Sequence, residues 1–147
     1  MIEQLFDSVT HAVGYEAFGH EVPLSECDWI PDRLREGIVM VPKAPPEPAV
    51  LAAELSAKLP REGVCVFVPG TRFDAFGTRI GRGGGWYDRF LAACPRDWVR
   101  IGITDGAYFS ETPLPRAPHD EPVDFMFIRT DENWKTTETN ARTAAPS

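Results

Sequence analysis

Glycine, arginine and aromatic residues converge between positions 68 and 92, in VPGTRFDAFGTRIGRGGGWYDRFLA. Gly83, Gly84 and Gly85 can adopt positive φ and bring bare backbone N–H groups close to a ligand, and Gly81 opens the same turn. Trp86 and Tyr87 then begin a helix, whose free N–H groups and dipole favour negative charge. A loop of this kind running into a helix is a phosphate cradle. Arg79 and Arg82 add side chains able to make charge-assisted hydrogen bonds to phosphate oxygens. No GK[ST] follows the glycines, so this is not a Walker A sequence. Nor is it a dinucleotide fingerprint, because the third glycine would fall at Trp86. The competing reading is a flexible surface loop between a strand and a helix. Two arginines among the glycines, directly before an aromatic helix start, favour binding, and the phosphates of a nucleotide are the expected ligand.

Composition sets the surroundings of this loop. The chain has 147 residues, 43% hydrophobic and 25% charged, which suits one globular domain with its own core. A formal charge of −7 argues against bulk attraction to nucleic acid or to an anionic membrane. Four arginines stand against two aspartates between Arg72 and Arg89, and a local basic patch of that size suits a small anionic ligand. No apolar run approaches the roughly 20 residues needed to cross a bilayer, and the N-terminus carries acid where a signal peptide carries base. A soluble cytoplasmic protein is expected. Cys27, Cys65 and Cys94 are odd in number and widely spaced, which argues against a disulfide framework or a cysteine zinc site. Cys65 and Cys94 read as buried small hydrophobes.

The elements that must position the loop follow from periodicity. Residues 3–13 carry Leu5, Phe6, Val9, Ala12 and Val13 at helical spacing, with GYEAF as a short strand after them. Residues 25–36 read as helical, with Pro31 as a possible first helical residue and Gly37 as the stop. IVMVP at 38–42 reads as a strand buried on both faces. Pro48 starts a helix that Pro60 ends. VCVFVP at 64–69 is a second buried strand, VRIGIT at 99–104 a third and VDFMFI at 123–128 a fourth. A helix is expected over about 86–94. Strands alternating with helices predict an α/β fold, a three-layer sandwich with a mostly parallel central sheet and helices on both faces. Residues 1–130 then form a single domain, and the polar stretch 131–147 is expected to be a disordered tail. In such sheets ligands lie beyond the carboxyl ends of the strands, so the loops 69–88 and 104–122 should open on the same edge.

The segment VPGTRFDAFGTRIGRGGGWYDRFL resembles the signature of the 5-formyltetrahydrofolate cyclo-ligase family, also called methenyltetrahydrofolate synthetases. Upstream, GYEAFGHEVPL is similar to the family's early strand. Downstream, RIGITDGAYFSETPLPRAPHDEPVDFMFI is similar to its last strands. The resemblance covers residues 10–130 and implies an enzyme that uses MgATP to phosphorylate the formyl oxygen of 5-formyltetrahydrofolate. Ring closure by N10 then expels phosphate and gives 5,10-methenyltetrahydrofolate, with the protein supplying mainly position and charge neutralisation.

Carried over by position, Arg79, Gly81, Arg82, Gly83, Gly84, Gly85, Trp86 and Tyr87 would hold ATP phosphates. Arg82, Tyr87 and Asp88 would be catalytic, Glu21 and Trp86 would face the folate, and Asp88 and Asp120 would serve Mg²⁺, a hard cation that prefers carboxylates. The partners implied are ATP and a reduced folate, without nucleic acid or membrane, in a monomer or homodimer. Each carboxylate also has a plainer reading: Asp120 as a turn residue, Asp74 as a cap before Gly77, Asp124 as an exposed strand carboxylate, Glu21 as surface. His20 and His119 lack metal-ligand spacing and read as exposed or capping. Two departures from the family pattern stand out: nothing before Tyr15 matches its longer opening helix with lysine and arginine, and the stretch between Lys43 and Glu47 is short. The single domain over residues 1–130 is thus expected to be an N-terminally short, cyclo-ligase-like one. The alternative function is a catalytically weak or inactive nucleotide- or folate-binding paralogue.

Overall fold

The computed structural model describes residues 4–142. Its centre is the run VCVFV, which forms strand β3 (Val64–Val68) with all five residues buried. Layers packed on both faces bury it, and it is paired on both edges. On one side lie β1 (His11–Tyr15) and β2 (Val39–Val41). On the other lie β6 (Val99–Asp105), β8 (Phe125–Thr130) and β9 (Asn133–Glu138). The order is β2-β1-β3-β6-β8-β9, parallel throughout except for the β8–β9 pair. This is the mostly parallel α/β sheet expected from the alternating pattern.

The two faces are covered differently. Val64, Val66 and Val68 point to a core built with Leu51, Ala52 and Leu55 of α2 (Pro48–Lys58) and with Phe90 and Leu91 of α3 (Trp86–Ala93). Cys65 and Phe67 point the other way, into a core that includes Val9, Cys27, Ile30 and Leu34. Short pieces cover that face: a turn at residues 4–8, a 3-10 turn at Leu24–Glu26 and α1 (Asp32–Arg35).

Several sequence expectations are corrected here. The helix expected over residues 3–13 is absent from the described part, 4–13: after the turn the chain is extended as β1, with Ala12 in one core and Val13 in the other. Leu5, Val9 and Val13 fit a helical period, but short apolar runs do not discriminate strand from helix by period alone. GYEAF contributes only Gly14 and Tyr15 to a strand. The helix expected over residues 25–36 is broken in two. Pro31 has no N–H to donate and disfavours helical geometry at Ile30, so it becomes the extended N-cap residue of α1. Arg35 donates instead to the carbonyls of Leu24 and Cys27. β2 is an edge strand with Val39 37% and Met40 42% exposed, not a strand buried on both faces.

The tail also differs from expectation. Residues 133–138 form β9, joined to β8 through a tight turn with Asp131 at φ 54°. Trp134 packs edge-on to Trp29 at 5.5 Å. Asp124, read as an exposed carboxylate, is paired with Arg142: Nε donates to Oδ1 at 2.8 Å and Nη2 to Oδ2 at 2.7 Å. An edge strand wet on one face needs little hydrophobic alternation, so NWKTTE reads as polar coil. Residues 143–147 of the expected tail lie outside the described residues. Among the described residues, no helix is long and apolar enough to cross a membrane.

The chain leaving β3 makes β4 (Arg72–Asp74) and β5 (Arg79–Ile80), and the chain leaving β6 makes β7 (Phe109–Ser110). These three short strands form a second sheet in the order β5-β4-β7, with β4 and β7 parallel. Phe73 anchors it: a Cβ on Gly102 of β6 would lie 2.8 Å from the Phe73 ring and 2.6 Å from Met126 Sδ. Only glycine permits that approach. The loops after β3 and β6 therefore meet on the carboxyl edge, as expected.

Candidate functional site

A glycine-lined groove lies on that edge. Tyr15 closes the end of β1, Val41 to Lys43 the end of β2, and Pro69 and Gly70 the end of β3. The far wall is Arg79, Gly81, Arg82 and Gly83, and the floor turns up at Trp86 and Tyr87. The enclosed volume is about 200 Å³.

The glycine loop has the conformation its sequence allows. Gly83, Gly84 and Gly85 stand at φ 93°, 76° and 66°, all left-handed, and Gly85 is the N-cap of α3. A turn of left-handed residues can present successive N–H groups to an anion, and α3 adds the unpaired N–H groups of its first turn. No backbone acceptor takes the N–H of Gly83, Gly84 or Gly85 among the described residues. Donors grouped in this way favour an anion.

Arg79 and Arg82 reach the groove in different states. Arg79 lies between Gly70 and Gly81, donates through Nε to the Pro69 carbonyl, and has its guanidinium 5.0 Å from the Tyr87 ring centre. Burial lowers its pKa, opposed by the fields of Asp88, Tyr87, Glu21 and Asp120. It makes no ion pair among the described residues. A partly desolvated cation without a carboxylate is open to an anionic ligand. Arg82 is paired: Nη2 is 3.1 Å from Glu21 Oε2, and its guanidinium lies 3.7 Å over the Phe18 ring. Glu21 Oε1 accepts the Phe18 N–H at 2.8 Å, and its side chain is only 8% exposed. The surface reading of Glu21 is excluded.

The aromatic pair at the helix start is partly committed to structure. Trp86 Nε1 donates to the Pro46 carbonyl at 2.9 Å and its ring stacks on Phe90 at 5.0 Å, leaving a face to the groove. Burial pushes the Tyr87 hydroxyl well above its ordinary pKa, against the lowering effect of Arg79. It is a neutral phenol, able to donate.

Asp88 and Asp120 do not line the groove but lie close enough to Arg79 for both to act on its charge. Asp88 Oδ1 accepts the Glu121 N–H at 2.9 Å. Asp120 Oδ2 accepts the Ala117 N–H at 2.8 Å and Oδ1 is 3.5 Å from His119 Nε2, so the turn reading of Asp120 is realised. Among the described residues, no three His, Cys, Asp or Glu side chains group as a metal site. Mg²⁺ commonly takes one or two carboxylates with waters and substrate phosphates. Asp88 and Asp120, both near Arg79, offer two carboxylates of that kind, each with one oxygen already accepting a backbone N–H.

Other candidates resolve as structure. Asp74 is fully buried and accepts the N–H groups of Phe76, Thr78 and Leu114, so it is the cap its sequence context suggests. All three cysteines are free and buried, and burial pushes each thiol up to about 12. His119 and His20 are both exposed, and His20 also stacks on Tyr108. Sequence reasoning missed Tyr15, Phe18 and Lys43. Lys43 had a usable signal, a lysine directly after a strand-like run, and its Nζ lies 3.9 Å from Glu16. Phe18 had none, because only the fold sets its ring beneath Arg82.

Residues 41–129 match the 5-formyltetrahydrofolate cyclo-ligase family, well over half of the chain. The chain belongs to this family. A mouse 5-formyltetrahydrofolate cyclo-ligase is 39% identical over 56 residues, which are 38% of this chain and 28% of the mouse protein. The aligned stretch thus spans under a third of that relative. Two solved 5,10-methenyltetrahydrofolate synthetases share the fold. The Aquifex aeolicus protein has a TM-score of 0.57 at 20% identity, covering 92% of this chain and 74% of its own. The Mycoplasma pneumoniae protein has a TM-score of 0.50 at 21% identity, covering 82% and 72%.

Proposed function

We propose that the protein is an ATP-dependent 5-formyltetrahydrofolate cyclo-ligase. The observation that carries this reading is the meeting on one groove of Arg79, which has no ion-pair partner among the described residues, and Gly83, the first residue of a left-handed glycine run that enters α3, in a chain of this family. In the proposed reaction the formyl oxygen attacks the γ-phosphorus and ADP leaves. N10 then adds to the activated formyl carbon and gives up its proton. Phosphate departs with the former formyl oxygen, and the methenyl bridge is formed.

The chain's own groups act mainly by position and charge. Arg79 and the glycine amides hold phosphate oxygens, and Arg82 lies where charge builds on the transferring group. Tyr87 is a neutral donor facing the same space. Glu21 fixes the Arg82 plane and forms the folate-side wall, with the open face of Trp86 opposite. Asp88 and Asp120 would hold Mg²⁺, which neutralises phosphate charge when bound. The groove, at about 200 Å³, is smaller than the ~300–1,000 Å³ of pockets that enclose a whole drug-sized ligand. It therefore takes the reacting ends of two substrates rather than either one whole.

Incubating the protein with MgATP and 5-formyltetrahydrofolate should produce methenyl absorbance together with one ADP per turnover. Binding of both ligands without any product at high protein concentration would sink the catalytic reading. A second reading, a nucleotide- or folate-binding paralogue without turnover, is favoured by the Glu21–Arg82 pair, which already neutralises one of the two groove arginines. That outcome is its signature.

A further inference from the structure

We propose that His20 is a positioning residue for Arg82, pinning to the glycine loop the turn that grips the guanidinium. This rests on the reading of that loop as a phosphate site. Gly19, at φ 61°, folds the chain back so that the Glu21 N–H donates to the Phe18 carbonyl at 3.1 Å. The closed turn meets Arg82 with two groups, the Phe18 face at 3.7 Å and Glu21 Oε2 at 3.1 Å. A ring on the flat side and a carboxylate at the edge together define the plane of a guanidinium.

Such a grip positions Arg82 only if the turn itself is fixed, and Phe18 is 56% exposed. His20 supplies the fixation from outside the groove. Its Nε2 is 3.0 Å from the Thr71 carbonyl oxygen. A carbonyl only accepts, so Nε2 carries the hydrogen. Thr71 in turn donates its N–H and its hydroxyl to the Ile80 carbonyl, at 2.7 and 2.8 Å. Ile80 precedes Gly81 and Arg82, so the bond from His20 reaches the base of the same loop that carries the arginine. The other side of the ring contact is Tyr108, stacked at 3.6 Å with planes 16° apart. Tyr108 ends a 3-10 turn whose N-cap, Asp105, accepts the Ala107 N–H and pairs with Arg129. The loops after β1, β3 and β6 are thereby tied at one imidazole that does not line the groove.

Two measurements on the full-length protein test this. Arg82 Nε–H should resonate upfield, because it lies over the Phe18 ring, and this signal needs no ligand. His20→Ala should abolish the upfield displacement and weaken MgATP binding, by calorimetry, about tenfold, with little change in Tm. His20→Gln, which keeps a donor for the Thr71 carbonyl, should restore part of both. An unchanged Arg82 resonance in His20→Ala overturns the inference, as does a lost displacement with MgATP affinity equal to wild type. If the wild type binds no MgATP, the nucleotide reading fails by itself, and the Arg82 resonance still decides the role of His20.

Discussion

Asp88 Oδ1 accepts the backbone N–H of Glu121 at 2.9 Å, which joins the first turn of α3 to the segment that enters β8. The same carboxylate is a candidate for Mg²⁺, and the two roles separate by substitution. Asp88→Asn keeps an acceptor oxygen and loses the charge, so stability should stay within about 1 kcal/mol while the Mg²⁺ needed for nucleotide binding rises at least tenfold. Asp88→Ala should lose both, with about 1–3 kcal/mol from the stranded N–H. Denaturant titration and Mg²⁺ titration read the two effects. An unchanged Mg²⁺ requirement in Asp88→Asn would leave Asp88 a purely structural residue.

Gly84 stands at φ 76° in open space, where an added Cβ would touch nothing within 4 Å. The cost of Gly84→Ala is therefore backbone strain of about 1–2 kcal/mol, which an exposed loop relieves by changing conformation. Nucleotide affinity should fall about tenfold or more, while Tm moves by a few degrees at most. Equal affinity in calorimetry would show that the left-handed glycines do not shape the site.

The Arg142–Asp124 pair predicts that the C-terminal segment is part of the folded unit. Asp124 Oδ2 also accepts the Arg100 N–H at 2.8 Å, so removing Arg142 strands a half-buried carboxylate. Arg142→Ala should cost about 1–3 kcal/mol by chemical denaturation, and deletion from residue 131 should cost more. A deletion variant as stable as the full chain would contradict the β8–β9 pairing.

The cysteines carry a prediction with a definite sign. Burial raises each folded thiol from 9.0 to about 12, so below pH 9 both folded and unfolded chains hold the protons. Above pH 9 the unfolded chain releases them first, and stability falls as pH rises towards about 12. At pH 8 the native thiols should resist alkylation and become reactive only on unfolding. Rapid labelling of Cys27, Cys65 or Cys94 in the native protein, followed by mass spectrometry, would refute this burial.

Central elements were legible because one physical signal dominated each of them. VCVFV lies between two strands and beneath two helices, so every residue is apolar and the run announces itself. Pro48 and Pro60 bracket α2, and the glycines before Trp86 need φ values that other residues rarely adopt. Peripheral elements were harder. β2 and β9 are edges, α1 is four residues long, and residues 4–8 only make a turn, so burial leaves a faint pattern in each.

The same division runs through the site. By itself the sequence determined an α/β sheet and a left-handed glycine loop before a helix, with Arg79 and Arg82 beside Gly83 to Gly85, because local backbone preference and charge need no distant partner. Tertiary structure alone decided which arginine is neutralised. Glu21 lies 61 positions before Arg82, yet the return of the chain after β1 sets their charges 3.1 Å apart, while Arg79 makes no ion pair among the described residues. Contacts of that range depend on how strands are ordered in the sheet, and residue type at either end does not encode them.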